Sequence, residues 1–335
     1  QEITDLINIM RNLVKQGKSI ILITHKLKEI KAIANRCTII RRGKYIGTVD
    51  VKDTSEAEMA KMMVGRPVSF KVSKLESKPK NPILTVKNLS VLNNKKVLGL
   101  KNFSLEVRAG EIVGVAGVEG NGQTELVEAI TGLRKLEQGE IFIDGEDITH
   151  YSIRQRTLAG IGHIPEDRHK HGLVLDYTME DNMVLQVYAQ KPFSKHGILC
   201  KKAISDYAQK IMTAFDVRSG EGGASIARSL SGGNQQKGVI GREMEREPKL
   251  LIAVQPTRGL DVGSIEYIHK RLIEHRDKGY AVLLVSLELD EVMNVSDRIA
   301  VVNNGQLVGI VDANATNENE IGLMMAGIEG GKKHE

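Results

Sequence analysis

The stretch LSGGNQQKGVIGREMEREPKLLIAVQPTRGLD, Leu230 to Asp261, decides the fold of this chain. It opens with Ser231-Gly232-Gly233, a small polar turn of the kind that starts a helix. Backbone N–H groups pointing out of such a turn hold a phosphate, and the helix dipole adds to the attraction. The apolar run Leu250–Val254 follows and is short enough for a buried strand. Pro256-Thr257 and the turn Gly259-Leu260-Asp261 close the segment. Each piece alone reads as an ordinary glycine turn or core strand; the series in this order does not.

Composition bounds the rest. With 335 residues the chain is long enough for two domains. Its net charge of +5 is spread along the sequence, and aromatics are 4% with no Trp. Basic runs with interleaved aromatics are missing, so no nucleic-acid partner is expected. Cys37 and Cys200 stand far apart without metal-ligand spacing and read as two reduced thiols. Apolar runs such as Ala281–Leu287 are far too short to cross a bilayer, so a membrane would be reached through a partner.

The two ends of the chain repeat each other. GKSIILITHKLKEI matches GYAVLLVSLELDEV, and RCTIIRRGKYIGTVD matches RIAVVNNGQLVGIVD. The spacing is constant at 262 residues, from His25 to Leu287, Gly43 to Gly305 and Gly65 to Gly327. A register held without gaps over so many elements points to duplicated domains. Residues 1–65 are then expected to be the closing part of a first domain, with an apolar sheet edge exposed; they include the β-branched apolar run Ile20–Ile23. A Lys/Ser/Pro-rich linker over 66–82 is expected to be exposed, residues 83–327 form a second domain, and 328–335 are a tail. Residues 152–215 read as a helical region.

The second domain begins with strand patterns at Ile83–Val86 and Phe103–Val107. The strand Ile112–Val115 then feeds a glycine-rich loop, Gly117-Val118-Glu119-Gly120-Asn121-Gly122-Gln123-Thr124, with a helix from Glu125. This context fits the phosphate loop G-x-x-x-x-G-K-[ST], with Gln123 at the Lys position. In that loop backbone N–H groups cradle the phosphates, the Lys reaches the β and γ oxygens, and the hydroxyl holds Mg²⁺. Gly117, Gly120, Asn121 and Gly122 can still build the cradle, and Thr124 remains a weak metal contact. Gln123 donates a hydrogen bond without charge, which weakens nucleotide affinity without abolishing it.

Together these segments resemble the ATPase subunits of ABC transporters, and LSGGNQQK resembles their sugar and nucleoside importers. The resemblance implies an α/β, P-loop NTPase (ABC ATPase) fold with a mixed sheet, a helical subdomain and an antiparallel β subdomain. It implies ATP and Mg²⁺ as cofactors. It also implies departures in the second domain's own site. The strand before Pro256 would end in Asp-Glu, yet this chain has Val254-Gln255, so Gln255 stands at the catalytic Glu position and cannot act as a general base. The switch histidine is present as His25, and the repeat sets Leu287 opposite it. Glu166 stands where a glutamine is usual.

The signature residues Ser231, Gly232, Gly233, Asn234 and Gln235 are intact. In the family each ATP site combines one domain's phosphate loop with the other's signature. Ser231–Gln235 and Asp261 would therefore complete a first domain's site, to which His25 also belongs, and the second domain's own site would be degenerate. Arg168-His169-Lys170-His171 reads as a solvated or permease-facing loop, since two histidines at i, i+2 without a third ligand make a poor zinc site. IGHIPEDRHKHGLVLD and QPTRGLDVG resemble the nucleoside branch of tandem importer ATPases. That implies integral membrane permease subunits as partners, indirectly a solute-binding protein, and a peripheral position on the cytoplasmic face of the plasma membrane. A soluble ABC protein acting on ribosomes or nucleic acid, and a non-catalytic nucleotide-binding module, are the alternatives.

Overall fold

The computed structural model describes residues 2–41, 43–67, 72 and 74–328. Positions 68–71 and 73 of the linker and 329–335 of the tail therefore lie outside the described residues. The chain divides into two compact units, residues 1–72 with 260–267, and residues 73–259 with 268–335.

The first unit contains helices α1 (Glu2–Lys15), α2 (Leu27–Ile33) and α3 (Glu56–Val64) around the hairpin β1 (Arg36–Arg41) and β2 (Lys44–Asp50). Leu27, Ile30, Val51, Met59 and Ala60 make its small core. Ser55 caps α3, its side chain accepting from the Glu58 N–H. The run Ile20–Ile23 forms no strand. Ile21 and Ile23 are 93% and 95% exposed, so an exposed apolar segment replaces the expected sheet edge. A β-branched run becomes a strand only where a neighbour accepts its ladder bonds, and no strand pairs with it among the described residues.

The second unit begins with β3 (Pro82–Leu92) and β4 (Leu98–Arg108), then β5 (Ile112–Ala116) and α4 (Gln123–Thr131). Next come β6 (Gln138–Ile143), β7 (Glu146–Asp147), α5 (Ile153–Leu158) and β8 (Ile161–Ile164). The expected helical region is thus interrupted by a four-residue strand, too short to show a period of its own. Short α6 (Met179–Met183), the hairpin β9 (Ser194–Lys195) and β10 (Ile198–Leu199), and α7 (Lys201–Ala214) follow. The chain closes with α8 (Gly232–Glu245), β11 (Leu250–Val254), α9 (Val262–Asp277), β12 (Ala281–Val285), α10 (Leu289–Val295), β13 (Arg298–Asn303), β14 (Gln306–Asp312) and α11 (Glu318–Met325).

Six strands lie in the order β14-β13-β5-β12-β11-β8, and four in the order β4-β3-β6-β7. In the six-stranded sheet only β13 and β14 pair antiparallel. Every residue of β5, β11 and β12 is buried, as central parallel strands covered on both faces require. One core joins both sheets through residues such as Val86, Leu105, Leu126, Ile130, Ile252 and Leu283.

The repeat reaches into geometry. The α2, β1 and β2 spans recur as α10, β13 and β14, 262 residues on, from Leu27 to Leu289 and from Asp50 to Asp312. Even the register irregularity recurs, between Ile39 and Ile40 and between Val301 and Val302. The Asn317 cap of α11 answers the Ser55 cap of α3.

Residues 74–80, expected to be exposed linker, are strapped to the second unit. Lys74 Nζ donates to the Ser296 carbonyl and stands 3.9 Å from Asp297. The buried Arg276 donates to the Leu75 carbonyl at 3.0 Å and to Asp297 at 2.7 Å. Lys80 N–H donates to the Ala109 carbonyl. A charged linker docks where a buried counter-charge waits for it: Asp297 supplies that charge to Lys74, while Arg276, paired with Asp297, holds the Leu75 carbonyl.

Candidate functional site

The glycine-rich loop runs from the end of β5 to the start of α4. Gly120 and Gly122 hold φ of +86° and +106°, which suits glycine. Side-chain space at Gly120 is open, whereas a Cβ at Gly122 would meet the Gly99 carbonyl at 2.7 Å. Gln123 is buried, and its Nε2 donates to the Val118 carbonyl at 3.2 Å. A Cβ at Gly117 would lie 2.5 Å from that nitrogen, so Gly117 must be glycine for Gln123 to turn inward. Asn121 ties the loop to the β13–β14 turn: its carbonyl accepts from Gly305 N–H at 3.1 Å and its Oδ1 from Asn304 N–H at 3.3 Å. Thr124 is exposed on the first turn of α4.

This loop fits a phosphate chiefly through its backbone, because Gln123 turns one of its two amide N–H groups onto the loop itself. Magnesium fits less well. Val254, where the family resemblance sets a carboxylate, offers no oxygen, and no group of three or more His, Cys, Asp or Glu side chains converges among the described residues. Thr124 is the remaining candidate contact.

At the end of β11, Gln255 is buried with φ of +47°, a conformation few non-glycine residues adopt. Its N–H donates to the Val285 carbonyl at 2.8 Å, so it is held by the parallel neighbour β12. Thr257 Oγ1 donates to Glu291 Oε1 at 2.8 Å, and His269 Nε2 stands 2.9 Å from the same oxygen. Leu287, just before α10, is 43% exposed. Glu166 forms an ion pair with Arg258.

Ser231 caps α8, its hydroxyl accepting from Asn234 Nδ2 at 3.1 Å and from the Asn234 backbone N–H at 3.4 Å. Gly232 and Gly233 follow at the partly exposed start of the helix. Gln235 is buried, its Nε2 donating to the Ala227 carbonyl at 2.9 Å. Its Oε1 accepts from Arg168 Nε at 3.4 Å and faces His169 Nε2 at 2.8 Å. A Cβ at Gly232 would lie 2.7 Å from Arg168 Nη2. The basic loop, expected to be solvated or permease-facing, is exposed at His169, Lys170 and His171, while Arg168 and His169 also reach the signature helix from a helical turn capped by Asp167. The buried amide of Gln235 supplies the acceptor for both side chains.

His25 and Asp261 belong to the first unit. His25 is half-buried immediately before α2. Asp261 caps the start of α9, Oδ1 accepting from Ser264 N–H at 3.0 Å and Oδ2 from Ser264 Oγ at 3.1 Å. The structure thus brings Ser231–Gln235 together with Arg168 and His169, and Glu166 with Arg258. Reading the sequence alone missed Arg258, Gln236 and Glu291, and it named Arg168 without its partner Gln235. Gln236 donates to the Pro256 carbonyl at 2.9 Å and so ties α8 to the loop after β11. Only the repeat held a signal for Glu291, since it stands 262 residues after Glu29, whose carboxylate accepts from Thr24 Oγ1 at 2.9 Å.

Comparison with known proteins agrees with this architecture. A nucleotide-free ATP-binding cassette from an ABC transporter superposes with a TM-score of 0.60 at 23% identity, over 73% of this chain and 96% of that one. The fold is that of an ABC ATPase cassette. A family model described as ABC transporter matches residues 100–258. The nucleoside import ATP-binding protein NupA of Lactococcus lactis subsp. cremoris is 56% identical over 326 residues, covering 97% of this chain and 64% of that protein. The guanosine import ATP-binding protein NupO of Bacillus subtilis is 54% identical with the same coverage. A putative carbohydrate transport ATP-binding protein of Mycoplasma pneumoniae is 38% identical, with 97% of this chain and 67% of that protein covered. The chain belongs to the ABC transporter ATP-binding family. It spans 64% of the length of the first two relatives.

Proposed function

We propose that this chain is part of the ATP-binding, energy-coupling subunit of an importer for nucleosides or simple sugars. In this reading residues 1–65 close a first ABC domain, and residues 83–327 form a second domain that completes the first domain's ATP site while its own is degenerate. One observation carries it: within one unit, a capped signature turn at Ser231 coexists with Val254, Gln255, Leu287 and an inward-turned Gln123. The relatives named for nucleoside, guanosine and carbohydrate transport support the solute class.

Ser231–Gln235, Asp261 and His25 would then serve Mg-ATP held on the first domain's phosphate loop. Contacts to the γ-phosphate made only when the domains close supply the differential affinity that a conformational switch requires. Integral membrane permease subunits would take up that motion at the cytoplasmic face of the plasma membrane, with a solute-binding protein delivering the solute from the other side. No helix among the described residues is long and apolar enough to cross a membrane.

The test is ATP hydrolysis by the intact subunit reconstituted with its permease. Ser231→Arg should lower turnover by about a hundredfold, the scale of losing phosphate-directed donors, while Gln255→Ala stays within about twofold. Equal losses in both variants, or a larger loss in the second, would sink the asymmetric reading.

A further inference from the structure

Between α6 and α7 the chain carries four lysines, Lys191, Lys195, Lys201 and Lys202, all exposed, and no Asp or Glu from 182 to 205. The flanking carboxylates, Asp181 and Asp206, lie on α6 and in the second turn of α7. In the middle of this stretch β9 and β10 form a hairpin, with Lys195 opposite Ile198 and Ser194 opposite Leu199. His196 and Gly197 make its two-residue turn with φ of +52° and +81°, the pair of positive values that a tight hairpin turn requires. Phe193 anchors the base. It is buried with Val184 and Ile204, its ring centroid lies 4.9 Å from that of Tyr207, and its carbonyl accepts from Cys200 N–H at 2.8 Å.

The tip of this anchored hairpin is apolar and uncovered. Ile198 is 74% exposed and Leu199 49% exposed, although successive side chains of a strand point to opposite faces and one of the two would ordinarily be covered. Positive charge flanks them. Lys201 and Lys202 occupy the first turn of α7, where the backbone already carries partial positive charge and carboxylates are favoured. Cys200 gives that helix end no side-chain cap. With no carboxylate in the stretch, the positive potential is not offset locally. A scattered exposed apolar residue is ordinary, but an apolar pair at the tip of an anchored ribbon, flanked by lysines, suits the boundary of an anionic bilayer. The apolar side chains enter the acyl edge while the ammonium groups meet the headgroups.

We propose that the β9–β10 hairpin makes direct contact with an anionic lipid surface, Ile198 and Leu199 entering the headgroup–acyl boundary and the four lysines lying against the lipid phosphates. Lipid matches both halves of this surface, whereas an acidic protein face matches only the lysines. The contact is superficial, since the tip is two residues long on each strand and no helix among the described residues is long and apolar enough to cross a membrane. The hairpin belongs to neither the phosphate loop nor the signature turn. Its contact requires neither nucleotide nor permease, so a failure here leaves the importer reading untouched.

The test is flotation of the full chain with vesicles of phosphatidylcholine alone and of phosphatidylcholine mixed with phosphatidylglycerol. We expect binding that rises with phosphatidylglycerol content and is released by salt, as screening of exposed charges requires. Changing Lys191, Lys195, Lys201 and Lys202 together to Gln should weaken it more than about a hundredfold, since each lysine near an anionic surface contributes about fivefold. The same change at Lys44, Lys52, Lys95 and Lys135, exposed elsewhere, removes equal charge and should weaken it far less. Because the chain has no Trp, Ile198→Trp places a single reporter at the tip. Its emission should shift to the blue on anionic vesicles, whereas that of Val97→Trp, at an exposed position between β3 and β4, should not. No binding to anionic vesicles, equal losses in the two lysine variants, or an unshifted Ile198→Trp would overturn the proposal. So would hairpin lysines that govern retention on a polyglutamate peptide but not on vesicles.

Discussion

Gln123 Nε2 donates to the Val118 carbonyl at 3.2 Å, so the side chain at the phosphate-loop lysine position is turned back into its own loop. A lysine there would project a charge that the loop lacks. Replacing Gln123 with Lys should raise ATP affinity of the chain about fivefold, because charged hydrogen bonds exceed neutral ones by about 1 kcal/mol. Hydrolysis should not rise with it, since Val254 and Gln255 are unchanged. Fluorescent nucleotide titration and phosphate release measure the two parts, and unchanged affinity would count against a nucleotide at this loop.

Gln235 joins the signature helix to the basic loop through its buried amide. Gln235→Leu keeps the size but leaves the buried Ala227 carbonyl without its partner, while the exposed His169 can turn to water. The cost should be about 1–3 kcal/mol for orphaned buried groups. Thermal unfolding should shift down by about 2–4 °C for each kcal/mol lost. A melting temperature equal to wild type would show that the clamp contributes nothing to stability.

The buried His275 sets a pH window. Burial pushes its folded pKa down to about 4 against an ordinary 6.5, so the unfolded chain binds the proton more readily between those limits. Its contribution is therefore complete above pH 6.5 and is lost as pH falls from there towards 4. The slope is about 1.4 kcal/mol per pH unit for this one group. Denaturant unfolding of wild type and His275→Phe across that range should show a stability difference that shrinks as pH falls, by the amount the histidine loses. A pH-independent difference would contradict the lowered pKa.

Glycine substitutions separate strain from packing. Gly145 and Gly305 hold φ of +81° and +78°, but only Gly305 would drive a Cβ into the Gly99 carbonyl. Alanine at Gly145 should cost about 1–2 kcal/mol for the left-handed backbone alone. Alanine at Gly305 should cost a further 1–3 kcal/mol or so for overpacking. It should also loosen the phosphate loop, because Gly305 N–H is bonded to the Asn121 carbonyl. Chemical denaturation gives both costs, and similar values for the two variants would refute the packing account.

The Glu166–Arg258 pair is 40% and 65% exposed. Arg258→Ala should therefore change stability by less than about 1 kcal/mol, the usual worth of a solvated pair. A larger loss in chemical denaturation would mean that the pair holds the loop after β8 in place.

Much of this molecule was legible in its residues. Periodicity and turn chemistry are local, so β5, β11 and β12 announced themselves as apolar runs, and Ser231 announced a helix start. The spacing of 262 residues foretold that β13 and β14 would repeat β1 and β2, and the structure adds a register irregularity that both hairpins share. The motif residues at 117–124, 231–235 and 254–257 were equally visible, because they are defined by order along the chain.

Only tertiary structure decided what those residues touch. Ile20–Ile23 and Ala281–Val285 carry the same pattern, yet the second is a strand because β5 and β11 flank it, while Ile21 and Ile23 stand exposed. That Arg168 and the exposed His169 reach Gln235, in another segment, was not legible along the chain. Lys74 read as linker until Asp297 and the Ser296 carbonyl drew it in. Hydrogen-bond partners and counter-charges that lie dozens to hundreds of residues away leave no periodic trace, and they settle which local preference survives.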